Sequence, residues 1–146
     1  SSGFLTLNDT RLDVFRADIR AQKLFAKIKT NDCKLFLGHS RLITNGSLDN
    51  QPVHRDDIVV LHNGIVVNAD KLWHNTKRKR KQQLDSEIIP ALFADAINGG
   101  LSAEQAGQFI LEKCEGTVSA LIYIPKSGKL CLISNNGSMY LAERRG

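Results

Sequence analysis

"DDIVVLHNGIVVN", residues 56–68, is the clearest β signal in the chain. Ile58, Val59, Val60 and Leu61 run up to Asn63-Gly64, and Ile65, Val66 and Val67 run away from it. Asn-Gly between β-branched runs is the strongest short hairpin signal, because both residues tolerate the positive φ of a type I′ turn. The stretch therefore predicts two antiparallel strands joined at Asn63-Gly64. Upstream, "GFLTLN" and "LDVFRA" read as a second hairpin around "DTR", and "KLFLGHSRL" returns to strand character. Between them "RAQKLFAKI" (20–28) has Leu24, Phe25 and Ile28 at the spacing of an amphipathic helix.

Downstream the pattern turns helical. "ADKLW" is a short helix, and "DSEIIPALFADAIN" (85–98) a longer one that closes at Gly99-Gly100. Pro90 inside it either kinks the helix or moves its start. "SAEQAGQFILEKC" is a third helix, capped by Ser102 with Glu104 and Gln105 in its first turn. The chain then reads as a meander of three strands, "TVSALIYI", "KLCLISNN" and "SMYLAE". Strands, then helices, then strands again predict an α+β layered domain and argue against an alternating βαβ one.

With 146 residues and 42% hydrophobic content, one domain with its own core is expected. No apolar run approaches the length of a membrane span, and no signal peptide is legible at the start. Cys33, Cys114 and Cys131 form no CxxC pair, and an odd count suits a reducing compartment, which predicts a cytoplasmic location. The net charge of +5 is concentrated in "KRKRK" at 77–81; without that run fifteen basic residues face fifteen acidic ones. A basic run with no interleaved aromatics reads as a solvated, mobile loop, with a nuclear-import or phosphate-binding patch as the alternative.

No phosphate-cradling GxGxxG or GxxxxGK[ST] motif is present. His39, His54, His62 and His74 lack metal-ligand spacing and read as polar residues at strand edges, so neither metal nor cofactor is expected.

The chemistry gathers around two short phrases. In "GHSRLITNG" (38–46), Arg41 offers a planar, always-charged fork suited to a carboxylate, and Thr44 and Asn45 add short hydrogen-bonding side chains. In "HNG", the Asn63 amide and the Gly64 N–H would together make an oxyanion hole. Asp85 would meet an ammonium group, unless it is a plain helix cap. One cation for a carboxylate and one anion for an amine describe a site for a free amino acid.

"GHSRLITNG", "NQPVH", "IVVLHNGIVVN" and "LDSE", in this order, resemble the glutaminase domain of class II glutamine amidotransferases. Those are N-terminal-nucleophile hydrolases, and include the glutamine-using domains of glucosamine-6-phosphate synthase, amidophosphoribosyltransferase and asparagine synthetase. "SSGFLTLND" is similar to the family's first hairpin, and residues 114–146 to its later sheet. The resemblance implies a four-layer αββα sandwich of antiparallel sheets over 1–146, incomplete at both ends and lacking its first strand and helix. It implies hydrolysis of L-glutamine to glutamate and ammonia for a synthase or transferase acceptor domain. By the same resemblance Arg41 holds the α-carboxylate, Asp85 the α-ammonium, and Thr44 and Asn45 line the pocket, while Asn63 and Gly64 stabilise the tetrahedral oxyanion.

The family's nucleophile is an N-terminal cysteine whose own amine is the base. Here residue 1 is serine and the cysteines are interior, so the stretch alone is expected to be inactive, with the cysteine supplied from upstream. An alternative nucleophile, Ser1, would have to reach the site from a hairpin strand. Asn45 also departs from the glucosamine-6-phosphate synthase pattern, which has histidine. Two non-enzymatic readings stand beside this one: a ligand- or partner-binding domain of the same fold, and a nucleic-acid-binding module using 77–81.

Overall fold

The run that reads as a hairpin is a single strand, Ile58–Val66, which continues straight through Asn63-Gly64. A computed structural model describes residues 1–9, 11–30, 32–40 and 50–143. In chain order they form β1 (Ser2–Leu7), β2 (Leu12–Ala17), α1 (Ala21–Phe25), β3 (Leu35–Ser40), β4 (Val53–Arg55) and β5 (Ile58–Val66). There follow α2 (Ala69–His74), a 3-10 turn (Asp85–Glu87), α3 (Ile88–Asn98), α4 (Ala103–Lys113), β6 (Gly116–Ile124) and β7 (Lys129–Ser134).

The tight turn lies before β5. Asp56 and Asp57, both with positive φ (54° and 58°), join β4 to β5 through the pairs Arg55↔Ile58, His54↔Val59 and Val53↔Val60. Two consecutive left-handed residues are what a type I′ hairpin needs, and aspartate tolerates that region. Asn63 and Gly64 instead pair with Ser119 and Val118 of β6, so long-range pairing overrides the local Asn-Gly signal.

The strands form two antiparallel sheets, β2-β1-β3 and β4-β5-β6-β7. Side chains alternate across a strand, so each sheet has two faces to cover. Leu5 and Leu37 of the first sheet meet Val59, Leu61 and Tyr123 of the second, forming the core between the sheets. On the other face of the second sheet, Val60, Val118, Ala120 and Ile122 pack against Ile88, Ile89, Phe93, Ala106 and Ile110 of α3 and α4. The short α1 covers the outer side of the first sheet, where Phe25, Phe4 and Phe36 make edge-on and tilted ring contacts. The layers run helix, sheet, sheet, helix.

Local readings hold in most helices. Ser102 and Gln105 form a reciprocal capping box on α4. Pro90 neither kinks nor breaks α3, because the helix starts at Ile88 and the ring falls in its first turn, where no intrahelical N–H is needed. "SMYLAE" forms no strand in the described residues up to 143, and Tyr140 and Leu141 are 91% and 87% exposed. Side chains end the meander after β7. Asn135 donates to Gly116 O and accepts from Val118 N–H, and Asn136 Oδ1 accepts from the hydroxyls of Ser119, Ser134 and Ser138.

The basic run is also more fixed than a solvated, mobile loop. Arg78 bridges Asp56 and Asp95, and Arg80 bonds Asp70 and the carbonyls of Gln82 and Gln83. Lys77, Lys79 and Lys81 remain exposed. The loop wraps a buried ion pair: Arg55 Nη1 lies 2.5 Å from Glu87 Oε1, donates through Nη2 to Lys79 O, and sits 5.0 Å above the Trp73 ring. The Glu87 carboxylate in turn accepts from Lys81 N–H and Gln82 N–H.

Candidate active site

The edge of β5 beyond its pairing with β4 holds the candidate residues Asn63 and Gly64. In an antiparallel strand the N–H and C=O of alternate residues point to the same side. His62 sends both groups to the side chain of Gln51, whose amide donates to His62 O at 2.8 Å and accepts from His62 N–H at 2.6 Å. Gln51 thus stands in for a neighbouring strand. Four residues on, Val66 N–H donates to Asp85 Oδ2 at 2.7 Å. Gly64 lies between these two, and its alternation aims its N–H to the same edge. The opposite side agrees: Val118, the partner of Gly64, exchanges its own backbone groups with Asn135 and not with β5.

Gly64 is required where it sits. Its φ is 144°, and a Cβ there would lie 1.9 Å from Thr117 O. Asn63 is exposed, on the sheet face that Val59 and Leu61 share by alternation, past the part the first sheet covers. Asp85 is no helix cap. Its carboxylate leaves the 3-10 turn to grip β5, and no side-chain cap is made at either Leu84 or Glu87. The structure thus brings Asn63, Gly64 and Asp85 to one stretch of strand edge.

Arg41, Thr44 and Asn45 lie outside the described residues. The residues that flank them are placed at the same end of the molecule: Ser40 pairs with Ser2 of β1, and Asn50 Nδ2 donates to Ser2 O at 3.1 Å, one residue before Gln51 meets His62. Ser1 Oγ donates to Asn50 Oδ1 at 3.2 Å, and its amine lies 3.7 Å from Asp18.

His62 is not a strand-edge polar residue. It is 2% exposed in an inner strand, with Nδ1 2.8 Å from Ser86 Oγ and Nε2 3.2 Å from Thr117 O. Burial holds its pKa below the usual 6.5, opposed by the Thr117 carbonyl and the nearby Asp85 charge, so the ring is neutral near pH 7. Its phase in β5, matching helix-facing Val60 and Val66, is the signal that marks it as buried. Gln51 and Ser86 also escape notice in the sequence, because a side chain that replaces a strand neighbour has no local pattern.

Cys114 and Cys131 are poor nucleophiles in these surroundings. Burial pushes the Cys114 thiol up to about 11, with the Asp85 charge adding to it, and raises that of Cys131 as well. Cys33 lies just before β3, at the opposite end of that strand from Ser40.

Known proteins give this geometry a lineage. The fold is similar to that of the glutamine phosphoribosylpyrophosphate amidotransferase of B. subtilis, solved with ADP and GMP, at a TM-score of 0.67 and 20% identity over 84% of this chain and 29% of that one. In sequence the chain is 28% identical to a glutamine–fructose-6-phosphate aminotransferase of Sulfolobus acidocaldarius over 134 residues, 85% of this chain and 23% of the relative. It is 34% identical to a 7-cyano-7-deazaguanine synthase of Saccharolobus solfataricus over 95 residues, 64% of this chain and 20% of the relative. The chain spans about a quarter of the length of the curated relatives it matches. Residues 39–146, which include Arg41, the β5 edge and Asp85, match the family described as the glutamine amidotransferase domain, and to that family the chain belongs.

Proposed function

We propose that this domain hydrolyses L-glutamine to glutamate and ammonia and delivers the ammonia to an acceptor domain or subunit. The observation that carries the reading is the strand edge at β5. Gly64 N–H is aimed outward between Gln51 and Asp85, beside an exposed Asn63. A backbone donor fixed in the sheet before substrate arrives, with the Asn63 amide next to it in the strand, suits an oxyanion that forms during attack on an amide, each donor contributing on the order of 10² to 10³ in rate. Asp85, held by Val66 N–H, retains a second carboxylate oxygen for the substrate ammonium. Arg41 supplies the carboxylate fork, with Thr44 and Asn45 beside it.

The nucleophile in this reading is a cysteine activated by its own α-amine. Burial raises the thiol pKa of Cys114 and Cys131, which suits neither to that role. Three free cysteines fit a reducing, cytoplasmic setting, and no described helix is long and apolar enough to cross a membrane.

The test is release of glutamate and ammonia from L-glutamine by the full-length protein. Arg41→Ala is expected to raise KM for glutamine roughly ten- to a hundredfold, the loss of a charged hydrogen bond. A full-length protein that leaves glutamine intact, or an unchanged KM in the variant, contradicts the assignment.

A further inference from the structure

We propose that His62 is a positioning residue that sets both halves of the glutamine site, the oxyanion strand through Thr117 and the ammonium-binding carboxylate through Ser86. The proposal rests on the glutaminase reading above. His62 is 2% exposed on the helix-facing side of β5, so it acts without touching substrate.

A carbonyl only accepts hydrogen bonds, so Nε2, 3.2 Å from Thr117 O, carries the ring proton and donates it. Nδ1 is then an acceptor, and Ser86 Oγ gives its single proton to it at 2.8 Å in preference to Asp85 Oδ1, the longer contact at 3.4 Å. A neutral ring has this tautomer available, and burial keeps the ring neutral.

Each bond leads to one half of the site. Ser86 follows Asp85 in the 3-10 turn, and Asp85 already grips Val66 N–H at 2.7 Å. The Ser86–His62 bond is a second point of attachment between that turn and β5, and two points fix where the other oxygen of Asp85, Oδ1, lies, 3.4 Å from Ser86 Oγ. Thr117 O, on the other side, is the atom that a Cβ at Gly64 would strike, and His62 Nε2 lies 3.0 Å from the same point. The imidazole and the Thr117 carbonyl therefore pack against Gly64 and set the position of its N–H. The His62 main chain cannot shift to compensate, because Gln51 holds both its N–H and its C=O.

Two substitutions separate the bonds. Asparagine places an acceptor oxygen near the Nδ1 position, keeping the Ser86 bond and losing Thr117; glutamine places an N–H donor near Nε2, keeping Thr117 and losing Ser86. Glutamine hydrolysis by the full-length protein is measured for His62→Asn, His62→Gln and Ser86→Ala. His62→Gln and Ser86→Ala are expected to raise KM about tenfold with a smaller change in kcat, the value of one hydrogen bond on the ammonium side. His62→Asn is expected to lower kcat about tenfold with a smaller change in KM.

Equal losses in the two His62 variants, or lower thermal stability with both constants as in the parent, overturn the proposal. If neither His62 variant folds, Ser86→Ala decides: a raised KM supports it and an unchanged KM overturns it. A parent protein that hydrolyses no glutamine removes the glutaminase reading and this proposal together. An active parent whose variants show no split removes only the positioning role.

Discussion

Gly64 and His62 show how far single residues constrain this site. The Asn63-Gly64 pair reads in the sequence as a place where glycine matters, and it is, although for another reason than a hairpin. The glycine is needed because β6 approaches too closely for a Cβ and because φ lies at 144°. Gly64→Ala is expected to cost several kcal/mol, more than the roughly 1–3 kcal/mol of a strained φ alone, since the Thr117 backbone must also move. Urea unfolding of the variant measures it. His62 predicts a pH dependence. Its folded pKa lies below its ordinary 6.5, so above that value both folded and unfolded rings are neutral and no stability is lost. Below it the unfolded ring takes up a proton that the folded ring refuses. Stability is expected to fall as pH drops from 6.5 toward the lowered folded value, and His62→Asn should flatten that part of the Tm-versus-pH curve.

At the scale of elements, the "LDSE" turn and the basic loop form one structure. Glu87 is 1% exposed, pairs with Arg55 and accepts the N–H groups of Lys81 and Gln82. Removing it in Glu87→Ala leaves the buried Arg55 with Asp56 as its remaining ionic partner, so the loss is expected at or below the low end of the range, about 3–5 kcal/mol, typical of breaking a buried pair. Denaturant melts check the magnitude, and faster proteolysis within 77–83 checks that the loop loosens. The capping box of α4 predicts a smaller loss, about 1 kcal/mol for Ser102→Ala. These elements also show what the sequence discloses. Periodicity and caps locate α3, α4, the first hairpin and β6-β7, because those signals are local. The Asp56-Asp57 turn is hidden because the stronger Asn-Gly signal lies seven residues on, and only pairing with β6 decides between them. Asp85 is marked by "LDSE" as a site residue, but its bond to Val66 N–H joins residues nineteen apart and leaves no trace in spacing. The end of the meander is hidden similarly, since Asn135 satisfies backbone groups of β6 that a longer β7 would otherwise meet, and Asn136 gathers the nearby serine hydroxyls.

At the scale of the molecule, two antiparallel sheets with helices outside them leave the β5 edge beside Asn63, Gly64 and Asp85 without a paired strand among the described residues. The chain belongs to the glutamine amidotransferase domain family, and the relatives it matches over about a quarter or less of their length include an aminotransferase and a synthase. The central claim is that this edge recognises a free amino acid by its ammonium as well as its amide. The most direct measurement compares kcat/KM for L-glutamine and for its des-amino analogue, 4-carbamoylbutanoate, in the full-length protein and in Asp85→Asn. The parent is expected to prefer glutamine roughly ten- to a hundredfold, the value of a charged hydrogen bond, and Asp85→Asn to lose most of that preference by losing activity on glutamine alone. A variant that keeps the parent's preference would contradict the account.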